Sequence, residues 1–170
     1  MTGQQAVDRA RKCIGHGCRY KLGAGGILAS REWPWNGTHS CDCTGFLAWA
    51  VGHGRELGED EFPDFPGRWI ESTMIVKDAG ASGKQALFTQ IPWELAVPGD
   101  VLAYGDHGTR SGHVGLVATV DATGPLTVVH CSAGNWRVHL DAIREEPPGP
   151  WQMNADSIAA RCRLIENVVA

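Results

Sequence analysis

Apolar residues recur at helical intervals near the start of the chain: Ala6, Ala10, Cys13 and Ile14 share one face. Thr2 and Gln5 stand before them at capping-box spacing. The pattern predicts a first helix over residues 4–14, ended by Gly15. "CRYKLGAGG" reads as a short extended piece entering a glycine turn, and residues 27–40 as loop. A second apolar run predicts a helix over residues 43–51, stopped by Gly52 and Gly54, with Phe46, Leu47 and Trp49 facing the core. "GEDEFPDFPG" is an acidic, proline-punctuated loop, and "RWIESTMIVKDA" suits a short third helix. The pattern then changes. "GDVLAYG", "HVGLVATVD" and "LTVVHCS" are short, β-branched and bounded by glycine or aspartate, as successive antiparallel strands are. "AARCRLIENVV" reads as a closing strand, and the run at residues 147–150 as a loop. Helices first and strands after predict an α+β fold, with N-terminal helices packed on a central antiparallel sheet.

Composition narrows the setting. A chain of 170 residues, 43% apolar and 20% charged, predicts one globular domain over residues 1–170. A net charge of -4 gives no reason to expect nucleic acid or an anionic membrane as partner. No apolar run is long enough to span a bilayer. "MTGQQAVDRARKC" lacks the apolar stretch of a secretory signal, so the chain either stays in the cytoplasm, leaves by a route without such a signal, or has been trimmed. Six cysteines are too few and too irregularly spaced for a disulfide scaffold.

The chemistry concentrates in "HSCDCTGFLAWAVGHG", where Cys41 and Cys43 flank Asp42. Metal binding, a disulfide and nucleophilic catalysis all remain open there. Cys41 and Cys43 are poorly placed to pair with each other. A zinc site drawn from Cys13, His16, Cys18, Cys41 and Cys43 lacks any C-x-x-C spacing. With Asp42 as N-cap, Cys43 takes the first helical position, facing unpaired N–H groups and the positive end of the helix dipole. Such a site lowers a thiol below its free value of about 8.5, and the same amides can hold an oxyanion. A buried small hydrophobe is the plainer reading of Cys43. A base changes the balance. His113 opens one predicted strand and His130 closes the next, so antiparallel pairing can bring them together, with His130 orienting His113. Cys131 then points to the opposite face, into the core.

These residues resemble the NlpC family of bacterial cell-wall cysteine peptidases, a compact branch of the papain-like fold. The resemblance rests on Asp42-Cys43-Thr44-Gly45 at a helix start, Pro98-Gly99-Asp100 entering a strand, Gly112-His113-Val114-Gly115-Leu116, His130, and Tyr20 ahead of a glycine turn. It runs over residues 17–132. Thr44 stands where serine is commoner, Cys18 where proline is frequent, and residues 23–40 are longer than the family's usual link. The resemblance implies a papain-like α+β fold and a hydrolase of amide bonds in peptidoglycan stem peptides. Cys43 would be the nucleophile, His113 the proton shuttle and His130 the orienter. Tyr20 and Thr44 would lie against substrate. Asp42 would either meet a substrate amine or serve only as the helix cap. No metal or organic cofactor is needed for a thiol mechanism. A phage lysin or a secreted antibacterial effector would suit such an enzyme, with a delivery machine or an immunity protein as partner.

Two other classes fit the same residues: a thiol acyltransferase or small-molecule amidase on this fold, and a non-catalytic Cys/His zinc module. His107 is a further cleft candidate, on the loop over residues 104–112 with Asp106 and Arg110. His16, His39, His53 and His139 read as surface, and Trp33, Trp35 and Trp69 as packing.

Overall fold

The computed structural model describes residues 1–35, 37–58, 61–81 and 86–166. Thr2 opens the first element. Its hydroxyl accepts from the Gln5 N–H while the Gln5 side chain accepts from the Thr2 N–H, the reciprocal capping box that the sequence spells. Helix α1, Gly3–Arg11, buries Ala6, Val7 and Ala10. It ends before residue 14 because the N–H groups of Cys13 and Ile14 turn back three residues, to Ala10 and Arg11, ahead of Gly15. Strand β1, Arg19–Tyr20, pairs in parallel with β2, Ser40–Cys41, which sets Tyr20 opposite Cys41. The sequence reading left residue 41 in loop, since a two-residue strand carries no periodicity. Helix α2, Cys43–Ala50, buries all eight of its residues and is the central helix of the molecule. Helix α3, Ser72–Gly80, starts four residues later than the pattern suggested, with Glu71 at its N-cap.

The remaining strands form one antiparallel sheet. They are β3 Phe88–Ile91, β4 Val101–Tyr104, β5 His113–Asp121, β6 Gly124–Cys131, β7 Ile143–Glu146 and β8 Ile158–Cys162. Their spatial order is β3-β8-β4-β5-β6-β7. The three expected central strands stand where the pattern put them. The closing strand is present as β8, inserted between β3 and β4; residues 167–169 of its expected span lie outside the described residues, as do residues 59 and 60 of the acidic loop and residue 36 of the long loop. Strands β3 and β7 and the helices α4, Ala133–His139, and α5, Gly149–Gln152, were not anticipated. Helix α5 occupies the proline-rich run that read as loop.

Alternation along the strands gives the sheet two buried faces. Val101, Ala103, Val114, Leu116, Val129, Cys131 and Ala160 pack against α1, α2 and α3. Leu102, Val117, Val128 and Ala159 pack beneath Trp151 of α5. Asp100, fully buried in the turn before β4, accepts from the Val97 N–H and from Arg161 of β8, which locks that turn to the sheet. Leu116 stands opposite Val129, so the start of β5 and the end of β6 share one end of the sheet. Among the described residues no helix is long and apolar enough to cross a membrane.

Candidate active site

Asp42 builds the start of α2. It is fully buried, and its carboxylate accepts from the Gly45 N–H at 2.7 Å and from the Gly23 N–H at 2.6 Å. Arg55 donates to it at 3.0 Å in a buried ion pair and also donates to the Thr44 hydroxyl, which turns its own proton to Asp42. The cap reading of Asp42 has its hydrogen bonds in place, and Asp42 also borders the cavity that holds Cys43. Thr44 borders the same cavity, with its hydroxyl engaged between Arg55 and Asp42.

Cys43 is the first residue of α2. The N–H groups of Val114 and Thr44 reach its sulfur, and the Tyr20 hydroxyl is a hydrogen-bonding neighbour on another side. Val114 follows His113, so the sulfur lies at the end of β5 that bears the histidine. The electrostatics differ from the sequence expectation. Burial, helped by the negative charge of Asp42, pushes the thiol up to about 12, against the opposing pull of the two N–H groups and Arg55. Desolvation outweighs the helix start here, and Cys43 rests as a neutral thiol. Burial likewise raises the Tyr20 phenol, which stays a donor.

Nε2 of His113 and Nδ1 of His130 are 2.8 Å apart, with the rings edge to face at 5.0 Å. Nε2 of His130 lies 2.9 Å from Oε2 of Glu146 on β7. Trp151 closes the back of the pair: its ring stacks on His113 at 5.2 Å and meets His130 edge-on at 5.3 Å. Gly115 makes room for it, since a Cβ there would stand 2.8 Å from the indole. Burial, with the His130 charge beside it, pushes His113 down to about 3. His130 is also lowered by burial, although Glu146 opposes the shift. Both imidazoles are therefore neutral near pH 7. Among the described residues, Cys43 and His113 share no direct hydrogen bond, and Nδ1 is the ring nitrogen of His113 left uncommitted.

Two cavities meet at this point. One, about 270 Å³, is lined by Cys43, Tyr20, Trp69, Glu71, Asp106 and Ser111 among others. The other, about 400 Å³, is lined by His113, His130, Tyr104, Ser132, Asn135 and Glu146 among others, and Tyr20, Ser111 and Gly112 border both. His107 borders neither; it is exposed in a tight turn with Arg110, which covers the Tyr104 ring at 5.0 Å. A further cavity, about 760 Å³, runs along α1 and shares no residue with the site.

Of the cysteines read as possible zinc ligands, Cys13, Cys18 and Cys41 are neighbours and Cys43 stands apart from them. Cys131 joins Cys18 and Cys41 beneath the site, its thiol donating to the Cys41 carbonyl at 3.4 Å, while Cys43 faces the cleft. No group of three or more His, Cys, Asp or Glu among the described residues is arranged to hold a metal ion.

Sequence reading missed Glu146, Trp151 and Arg55. Glu146 closes "IREE", a strand with no alternating apolar pattern, and Trp151 follows a proline-rich run that hides a single helical turn. Arg55 had no signal at all: its burial is caused by Asp42, 13 residues away.

No family model matches the chain. No curated protein matches it either. Among solved structures it is similar to NlpC2 of Trichomonas vaginalis, at 16% identity over 94% of this chain with a TM-score of 0.47; the chain spans about half of that protein, 46% of its length. It is also similar to the P60 domain of an antigen from M. avium subspecies paratuberculosis, at 19% identity over 96% of this chain and 98% of that one, with a TM-score of 0.46.

Proposed function

We propose that this chain is a peptidoglycan hydrolase, a cysteine endopeptidase or amidase that cuts amide bonds of cell-wall stem peptides. The observation that carries the reading is the placement of the Cys43 sulfur on the Val114 N–H, beside a His113–His130 pair joined at 2.8 Å. The neutral pair suits general-base activation. Nδ1 of His113 takes the thiol proton as the sulfur attacks the amide carbon. The oxyanion forms beside the Cys43 N–H, which the Asp42 cap leaves untaken, and where the Tyr20 hydroxyl can donate. The C–N bond then breaks, and His113 gives its proton to the departing amine. Water, deprotonated by His113, attacks the thioester; the acid leaves and Cys43 regains its proton.

This sequence orients the substrate. The leaving amine must reach His113, so it occupies the larger cavity beside His130 and Ser132. The acyl part lies over Cys43, toward Trp69, Glu71 and Asp106. Incubation with purified peptidoglycan, followed by mass spectrometry, tests the reading. Expected are stem-peptide fragments that have each gained one water, absent with Cys43→Ala. Intact peptidoglycan after incubation with the folded wild type overturns it, and transfer to an added amine in preference to water makes the enzyme an acyltransferase.

A further inference from the structure

His113 can serve as a base toward Cys43 only in one tautomer, with the proton on Nε2 and the lone pair on Nδ1. Two adjoining imidazoles have two self-consistent proton orders, one the reverse of the other, and only one of them is productive. Something must choose between them. The His113–His130 contact cannot choose, because it is satisfied equally well by a proton on either nitrogen.

Glu146 can. An ionised carboxylate only accepts hydrogen bonds. Its Oε2 lies 2.9 Å from Nε2 of His130, so that nitrogen carries the proton. Neutral His130 then has its lone pair on Nδ1. Nε2 of His113, 2.8 Å away, must donate to it. Nδ1 of His113 is left as the acceptor. Asn135 is the weaker neighbour of Nε2 of His130: its Nδ2, a donor only, stands 3.5 Å away, beyond the 2.9 Å of Glu146, and the same amino group also reaches the Ala142 carbonyl at 3.5 Å. We infer that Glu146 is a positioning residue that fixes the proton order of both imidazoles, and through them makes Nδ1 of His113 the base.

The neighbouring carboxylate supplies a control. Glu145 is bound at 2.8 Å to both Nε and Nη2 of Arg11 and accepts from Thr127 at 2.6 Å, and among the described residues it has no hydrogen bond to either histidine. Glu146 keeps about a third of its side chain exposed, at 35%, so its removal leaves no buried hole.

The consequence for rate rests on the proposed hydrolase function; the proton order does not. Nitrogen NMR of histidine-labelled protein reads the order directly. In the wild type both rings should show the proton on Nε2. Glu146→Ala should populate the reversed order in both rings, with an unfolding midpoint close to that of the wild type. Glu146→Gln, which keeps an acceptor oxygen, should restore much of the wild-type pattern. Turnover of peptidoglycan should fall about 10–100-fold in Glu146→Ala through kcat, with KM little changed, as for other orienting partners. Glu145→Gln should leave the ring signals in place. An unaltered proton order in Glu146→Ala overturns the role of Glu146, whatever the activity. A wild type without activity but with the expected proton order and its loss in Glu146→Ala overturns the hydrolase reading alone.

Discussion

Five of the six cysteines have no exposed surface, and Cys43 keeps 6% of its own, at the junction of the two cavities. Access separates them more than acidity does, because burial raises Cys43 as it raises Cys13 and Cys162. A limiting dose of iodoacetamide should therefore label Cys43 before the other five, with His113 taking its proton. Peptide mapping checks this; first labelling of Cys41 or Cys131 would remove the nucleophile assignment. Among the histidines, His113→Ala should cost about 10²–10⁴-fold in turnover, the span of a lost general base. His130→Ala should cost about 10–100-fold, since water can replace an orienter in part. Steady-state kinetics on a stem peptide distinguish the two, and a larger loss in His130→Ala would exchange their roles. The residues named from sequence in this relay are those that short motifs carry: a cysteine after an N-cap, and histidines at strand ends. What the motifs did not carry was the environment. The thiol's rise to about 12 follows from its burial, which a helix-start rule does not contain.

Helix α2 is held in place by its first turn. The Asp42–Arg55 pair beneath it is buried on both sides, at 1% and 3% exposure. Asp42→Ala removes the cap and leaves a buried guanidinium without its carboxylate, a loss of about 3–5 kcal/mol. Urea unfolding should show it as a large drop in midpoint. Gly45→Ala inverts the usual helix rule. Alanine in a helix interior should gain about 1 kcal/mol over glycine. Here the added Cβ would stand 2.5 Å from the Ala24 carbonyl and 2.8 Å from Gly25, both backbone, so the variant should be less stable than the wild type. Elements with a strong local signature were legible: the capping box of α1, the cap of α2 and the glycine-bounded strands β4, β5 and β6. Strand β3 and strand β7 were not, because "FTQI" and "IREE" show no clear alternation. The insertion of β8 between β3 and β4 belongs to no local pattern. Helix α4 did have a signal, the Ser132 hydroxyl accepting from the Asn135 N–H, which an apolar-periodicity reading passes over.

Across the whole molecule, two histidines and four cysteines are buried in their neutral forms, and this sets a pH window for folding. His113 and His130 are held below the ordinary histidine value of 6.5, so the unfolded chain binds more protons than the folded one as pH falls through that value. Their contribution is complete above 6.5 and declines below it. Cys13, Cys43, Cys131 and Cys162 are held above the ordinary thiol value of 9.0. Their contribution is complete below 9.0 and is lost as pH rises, because the unfolded chain releases protons that the folded chain keeps. Glu61 and Glu145, both lowered by their hydrogen-bonding partners, add a separate acid limb that begins near 4.5, and Asp78, raised by burial, works against it. Urea midpoints measured across pH should thus form a plateau between about 6.5 and 9, with the first acid decline already present above the carboxylate range. The two limbs have separate causes and can be removed separately. Replacing both His113 and His130 by asparagine should flatten the upper acid limb and leave the alkaline limb. Cys162→Ala should make the alkaline limb shallower without touching the acid one. A midpoint unchanged from pH 6.5 down to the carboxylate range in the wild type would mean that the two imidazoles titrate alike in the folded and unfolded chain, and the neutral His113 that the general-base step requires at acid pH would be lost with it.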